Sequence, residues 1–153
     1  MRDHRAADLP HAVLFACTSN SLRSAMGEAL MKHFLGRSVY VDSCGVRPAE
    51  TVDSFAVAVM DEIGLDISGH VPKSFDDLED SSFDIVISLS PEAQHAAVEL
   101  ARGQAIDLVY WPTFDPSLES GNREQVLAAY RAVRDSLSDR IRAEFSVGAP
   151  PNP

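Results

Sequence analysis

Positive charge is scarce in this chain. Thirteen lysines and arginines face 23 aspartates and glutamates across 153 residues, a formal net charge of −10. Such a balance repels polyanions, so nucleic acid and anionic membrane surfaces are excluded as general partners. Cysteine is rarer still, with two in the whole chain. Cys17 and Cys44 provide neither a disulfide framework nor a zinc-ligand spacing, and a reducing, cytoplasmic setting fits better. No metal or organic cofactor is implied. No apolar run approaches the ~20 residues that a membrane-spanning helix needs. Residues 1–10 are polar and charged and lack the apolar core of a secretory leader. Repeats and low-complexity tracts are missing too. With 45% hydrophobic and 24% charged residues, the composition is that of an ordinary globular domain.

What is present alternates between two periods. Short apolar runs read as strands at His11–Cys17, Val39–Asp42, Phe83–Leu89 and Ile106–Tyr110. Helical patterns occupy Arg23–Leu35, Val52–Ile63 before Gly64, and Glu92–Arg102 before Gly103. The last helix carries an apolar stripe at Val126, Leu127, Tyr130, Val133, Leu137, Ile141 and Phe145, spaced by threes and fours. Four apolar strands alternating with helices predict an α/β fold. One three-layer domain results, a four-stranded parallel sheet with helices on both faces. The expected limits are an arm at residues 1–10, the domain at 11–147 and a flexible tail at 148–153. The domain is expected to be a monomer or a weak dimer.

In such a fold the chemistry belongs at the carboxyl ends of the strands. The first strand ends on Cys17, and Thr18, Ser19, Asn20, Ser21 and Leu22 lead to Arg23 and Ser24 at a helix start. Backbone N–H groups at a helix N-terminus bind anions, and the helix dipole reinforces them. An arginine closing the loop can hold two oxygens of a phosphate-like anion. The same field favours a cysteine thiolate, and the Ser24 hydroxyl could donate to the sulfur. Read singly, each residue has a plainer meaning. A cysteine at a strand end is usually a small buried hydrophobe. Asp115 in Trp111-Pro112-Thr113-Phe114-Asp115-Pro116 could be a turn aspartate, and His70 an ordinary surface histidine. Asp115 nevertheless lies just past the last strand, on the side where Cys17 lies. Proline restrains it to extended backbone, and apolar neighbours would favour its protonated form. His4, His11, His33 and His95 read as structural or solvated.

The segment Val13–Cys17 through Arg23-Ser24-Ala25-Met26-Gly27-Glu28-Ala29-Leu30 resembles the opening of low-molecular-weight protein tyrosine phosphatases, and of the related arsenate reductases. The resemblance runs from about Val13 to Phe145. It implies that Cys17 is the nucleophile, that Arg23 with the amides of Thr18 to Arg23 holds the anion, and that Asp115 is the general acid. It also implies that Asn20 adopts an unusual backbone conformation supported by Ser24, Ser43 and His70. The substrate class implied is a phosphorylated protein or small aryl phosphate, with phosphotyrosine foremost; the alternative is arsenate, reduced with an external thiol. A non-catalytic phosphate-binding module is a third reading.

The sequence also departs from that pattern. Leu22 stands where many relatives carry a second cysteine, and Ser19 where a glycine is common. Ser117-Leu118 and Arg47-Pro48-Ala49-Glu50 lack the aromatic residues that wall a phosphotyrosine cleft. Ser88 to Ala97 holds no cysteine, so the relay of thioredoxin-coupled reductases is missing. The stretch from Trp111 through Gly121 into the long helix is nevertheless closer to the reductase branch. Cys44 follows the second strand, and neighbouring parallel strands lie ~4.8 Å apart. It is read as a buried small residue or, secondarily, as a disulfide partner of Cys17.

Overall fold

Strand β1 (Ala12–Cys17) is buried along its whole length, which marks it as a central strand. A computed structural model describes residues 9–79 and 82–145. Helix α1 (Arg23–Leu35) follows β1, then β2 (Tyr40–Gly45), α2 (Ser54–Asp61), β3 (Ile85–Ser88), α3 (Pro91–Leu100), β4 (Asp107–Tyr110) and α4 (Arg123–Glu144). The four strands form one parallel sheet in the order β2-β1-β3-β4. Two single-turn 3-10 helices, Phe75–Asp77 and Pro116–Leu118, were not expected from the sequence pattern. Three residues are too few to show a periodicity.

Alternation along β1 divides the core. Val13, Phe15 and Cys17 pack with Met26, Leu30 and Met31 of α1, Met60 of α2, and Leu127, Tyr130, Leu137 and Ile141 of α4. Leu14 and Ala16 face the other way, against Val86 and the small residues Ala93 and Ala97 of α3. The expected three layers are therefore unequal, with three helices on one face and α3 on the other. A strand's side chains alternate between faces, so one apolar run serves both cores.

Helix boundaries follow local capping chemistry. Asn122 and Gln125 form a reciprocal capping box, so α4 begins three residues before the first apolar residue of the stripe. Asp53 accepts the N–H groups of Phe55 and Ala56, which starts α2 just inside the expected Val52. Ser90 accepts the Ala93 N–H, and Pro91 occupies the first helical position of α3. Strand β2 runs three residues beyond the expected Asp42, to Gly45. Leu9 packs against the core and Pro10 is buried, so these two residues belong to the domain and not to the expected arm. The remaining arm and the tail at 148–153 lie outside the described residues. Among the described residues, no helix is long and apolar enough to cross a membrane.

Strand order reverses between β1 and β3, and crevices for ligands form at such a switch point. The loops leaving these two strands meet there: the Thr18 hydroxyl donates to the Ser90 hydroxyl at 3.0 Å.

Candidate active site

The loop from Cys17 to Arg23 is held from outside by its carbonyl groups. Cys17 O accepts from Val46 N (3.2 Å), Thr18 O from Arg47 N (2.8 Å), Ser19 O from Ala49 N (3.0 Å) and Ser21 O from Asp53 N (2.9 Å). The Asn20 carbonyl accepts from His70 Nε2 at 2.8 Å, which fixes the proton on that nitrogen, because a carbonyl cannot donate. In a trans peptide the C=O and the following N–H point in opposite directions. Five carbonyls held outward therefore turn the amides of Thr18, Ser19, Asn20, Ser21 and Leu22 inward. Asn20 N bears this out directly, because it donates to Cys17 Sγ at 3.2 Å.

Cys17 Sγ is fully buried and is approached by two more groups, Ser24 N at 3.4 Å and Ser24 Oγ at 2.9 Å. Asn20 limits where the Ser24 proton can point. Both hydrogens of its side-chain amide are used, towards Ser24 Oγ at 2.8 Å and Ser43 Oγ at 2.9 Å. Each serine oxygen thus accepts, and its own proton points elsewhere: Ser43 donates to Glu28 Oε1, and Ser24 has two groups in reach, the Cys17 sulfur at 2.9 Å and the more distant Cys44 carbonyl at 3.4 Å. Asn20 Oδ1 takes the Lys73 N–H at 3.0 Å, so every polar atom of this buried side chain has a partner. Asn20 is the one non-glycine residue with positive φ among the described residues, at 55°. Asparagine tolerates that region better than most residues, and four partners determine it here.

Helix α1 begins at this loop without a side-chain cap on Leu22 and without an acidic residue in its first turn. Apart from Ser24 N, which points at the Cys17 sulfur, its first N–H groups are left for an anion. Arg23 is buried to 7% exposure, and its Nη1 donates to the Thr113 carbonyl at 2.9 Å. Its Nη2 lies 3.9 Å from Asp115 Oδ2. The structure thus brings Cys17, Asn20, Arg23, Ser24, Ser43, His70 and Asp115 to one place. Ser19 and Ser21 share a hydrogen bond at 2.8 Å on the loop's rim.

The surroundings of Asp115 are more polar than its apolar neighbours in sequence suggest. Its Oδ1 accepts from Ser117 N at 3.0 Å and Ser117 Oγ at 2.7 Å, as cap of the 3-10 turn, and Oδ2 faces Arg23. Trp111 is buried against the core instead, with Arg140 stacked over its ring at 5.5 Å. Phe114 is exposed.

Cys44 reaches the same neighbourhood but the other side of the sheet. It pairs in register with Ala16 and joins the α3 core, whereas Cys17 belongs to the α1 core. Both cysteines are free. Burial pushes the Cys44 thiol well above the usual range, helped by the charges of Cys17 and Asp42, so it is a poor nucleophile. Strand spacing alone suggested proximity; pleat parity separates the two side chains.

Several parts of the site carry no local sequence signal. Gly45 is one: a Cβ there would sit 2.8 Å from Asn20 N and 2.9 Å from Thr18 O, so the loop can cross β2 only over glycine. Glu28, which anchors Ser43 and lies 3.9 Å from His70 Nδ1, is another. The 46–53 segment that holds the carbonyls works through backbone, and Thr113 through its carbonyl.

Comparison with known proteins agrees in extent with this geometry. Residues 12–143 match the family model described as low molecular weight phosphotyrosine protein phosphatase. An arsenate reductase of Halalkalibacterium halodurans is 35% identical over 136 residues, covering 89% of this chain and 96% of that protein. A solved arsenate reductase in a phosphate-binding state superposes with a TM-score of 0.70 at 29% identity, covering 89% of this chain and 97% of its own. A tyrosine phosphatase of Erwinia amylovora superposes with a TM-score of 0.72 over 90% of this chain and 92% of its own; at 18% identity that likeness concerns the fold alone.

Proposed function

This chain belongs to the low molecular weight phosphotyrosine protein phosphatase family, and on that premise we propose that it is a cysteine-dependent phosphomonoesterase. Cys17 Sγ attacks phosphorus as the bond to the leaving oxygen breaks, and Asp115 gives that oxygen its proton. The inward amides and Arg23 hold the equatorial oxygens of the transition state. A water molecule, deprotonated by Asp115, then attacks the phosphocysteine, and phosphate leaves from the regenerated thiolate. The single observation that carries this reading is the set of three hydrogen-bond contacts on Cys17 Sγ, two from backbone N–H groups and one with the Ser24 hydroxyl, inside a loop of outward-held carbonyls. A sulfur so placed is stabilised both as nucleophile and as leaving group. The substrate is a phosphorylated protein or a small aryl phosphate.

Arsenate reduction is the second reading, favoured by the relatives named arsenate reductase. The tetrahedral anion has the same shape and charge, so the loop suits it equally. Two electrons are then needed. With Cys44 on the opposite face of the sheet, an external thiol must attack the Cys17–arsenate adduct, giving arsenite and a mixed disulfide that a second thiol reduces.

One preparation assayed on phosphotyrosine peptide, p-nitrophenyl phosphate, and arsenate with glutathione or mycothiol separates the readings. Phosphate release that vanishes in Cys17→Ser is the expected result. Arsenite production without phosphate release would replace the phosphatase reading with the second. Binding of phosphate with neither activity would leave a binding module.

A further inference from the structure

Tyr130 lies in the middle of α4, with 1% of its surface exposed, too deep to touch a substrate. Its hydroxyl nevertheless donates to Asp53 Oδ2 at 2.8 Å. The other oxygen of that carboxylate takes the N–H groups of Phe55 (2.8 Å) and Ala56 (3.1 Å), which start α2. The backbone N–H of the same Asp53 donates to Ser21 O, the last of the outward-held carbonyls of the phosphate loop. Three elements therefore meet on one residue: the loop on its amide, α2 on one oxygen and α4 on the other.

We propose that Tyr130 is a positioning residue for anion binding, acting through Asp53 on the Ser21–Leu22 peptide. The inference rests on the phosphatase-type reading of the loop. The physical step is short. The plane of the Ser21–Leu22 peptide is set by where Asp53 N lies, and that plane aims the Leu22 N–H at the anion. Without the tyrosine hydroxyl, the Asp53 carboxylate is tied to α2 alone, and α2 is a short helix of eight residues. Burial and the neighbouring Asp53 carboxylate hold the Tyr130 hydroxyl protonated well beyond its ordinary range, so it remains a donor wherever the loop binds phosphate. Helix α4 supplies a firm base: Arg134 Nη1 donates to the Val59 carbonyl at 2.7 Å and to Glu62 at 2.8 Å, fixing α4 to the far end of α2. Tyr130 fixes the near end, the one that touches the loop.

The test is inorganic phosphate binding to the full chain, by calorimetry and as competitive inhibition of p-nitrophenyl phosphate turnover. A hydrogen bond of ~1 kcal/mol corresponds to about fivefold in affinity, so Tyr130→Phe should weaken phosphate binding about fivefold. The loss should appear in KM and Ki more than in kcat. In an Asp53→Ala background the same substitution should add nothing, because its route is gone. Phe55→Leu removes the ring that packs 5.4 Å from Tyr130 but keeps the hydroxyl bond. It should lower thermal stability without changing phosphate affinity. The proposal is overturned if Tyr130→Phe binds phosphate like the wild type, if its effect persists in Asp53→Ala, or if Phe55→Leu weakens binding as much. A wild-type chain that binds no phosphate would overturn the phosphatase reading and this proposal together; failure of Tyr130→Phe alone leaves the reading intact.

Discussion

The two halves of the candidate site are held very differently. On one side, Asn20 is buried with all its polar atoms bonded, and Ser24, Ser43, Glu28, Lys73 and His70 surround it. On the other, Asp115 keeps 30% of its side chain exposed and is tied by a local cap to Ser117 and a 3.9 Å approach to Arg23. In the proposed reading the anion cradle is built in advance, while the proposed proton donor, Asp115, rides on a single-turn loop. This division suits a site in which fixed donors stabilise transferred charge and the acid must first give a proton and then take one.

Substitutions on each side should separate binding from proton transfer. The largest effect belongs to Cys17→Ser, which should abolish aryl phosphate hydrolysis yet retain phosphate binding; full activity in that variant would end the nucleophile assignment. Asp115→Ala should come next, slowing hydrolysis by about 10²–10⁴, the usual weight of general acid–base catalysis, with phosphate affinity near wild type. A covalent phosphocysteine should persist longer in that variant, as quenched-flow mass spectrometry would record. If Asp115→Ala lost phosphate binding too, the contrast between a fixed cradle and a separate acid would collapse. Gly45→Ala should cost about 1–3 kcal/mol of stability, as an overpacked contact does, because the new Cβ meets loop backbone 2.8 Å away. Phosphate affinity should fall with it, measured by denaturant melts and phosphate titration of the same sample; an unchanged melt would mean that the loop is less tightly seated on β2 than the geometry requires.

The smallest expected effect lies away from the site. Glu62 accepts from Arg131 and Arg134, and these bonds hold its carboxyl down at about 2. A depressed acid stabilises the fold above its unfolded value near 4.5, and the contribution is lost as pH falls towards about 2. Glu62→Gln should therefore reduce stability slightly at neutral pH and flatten the decline between pH 4.5 and 2. The residue is solvent-exposed, so the change should be modest. Equal acid sensitivity in both proteins would remove the pair from the account.

Legibility tracked how local each signal was. Four strands, four helices and the Cys17–Arg23 loop could be read because periodicity and spacing are properties of neighbouring residues. Asn20, Ser24, Ser43 and His70 were found through a family resemblance, and the structure joins them into one network. The early start of α4 was missed because a cap is polar and precedes the apolar stripe. Gly45 and the 46–53 segment were missed for another reason: their part is played by backbone, which every residue type shares. Glu28 reads as an ordinary helix-surface glutamate until Ser43 is seen beneath it.

By itself the sequence determined the layer order, the place of Cys17 at a strand end and the absence of a second cysteine at position 22, since each depends on residue identity and short spacing. Tertiary structure alone decided the rest. It placed Cys44 across the sheet from Cys17, because pleat parity and register set which face a side chain takes. It turned five carbonyls outward through contacts up to 50 residues distant. It also linked Tyr130 to Ser21 through Asp53, since a hydrogen bond 77 residues long in sequence exists only once the helices have packed.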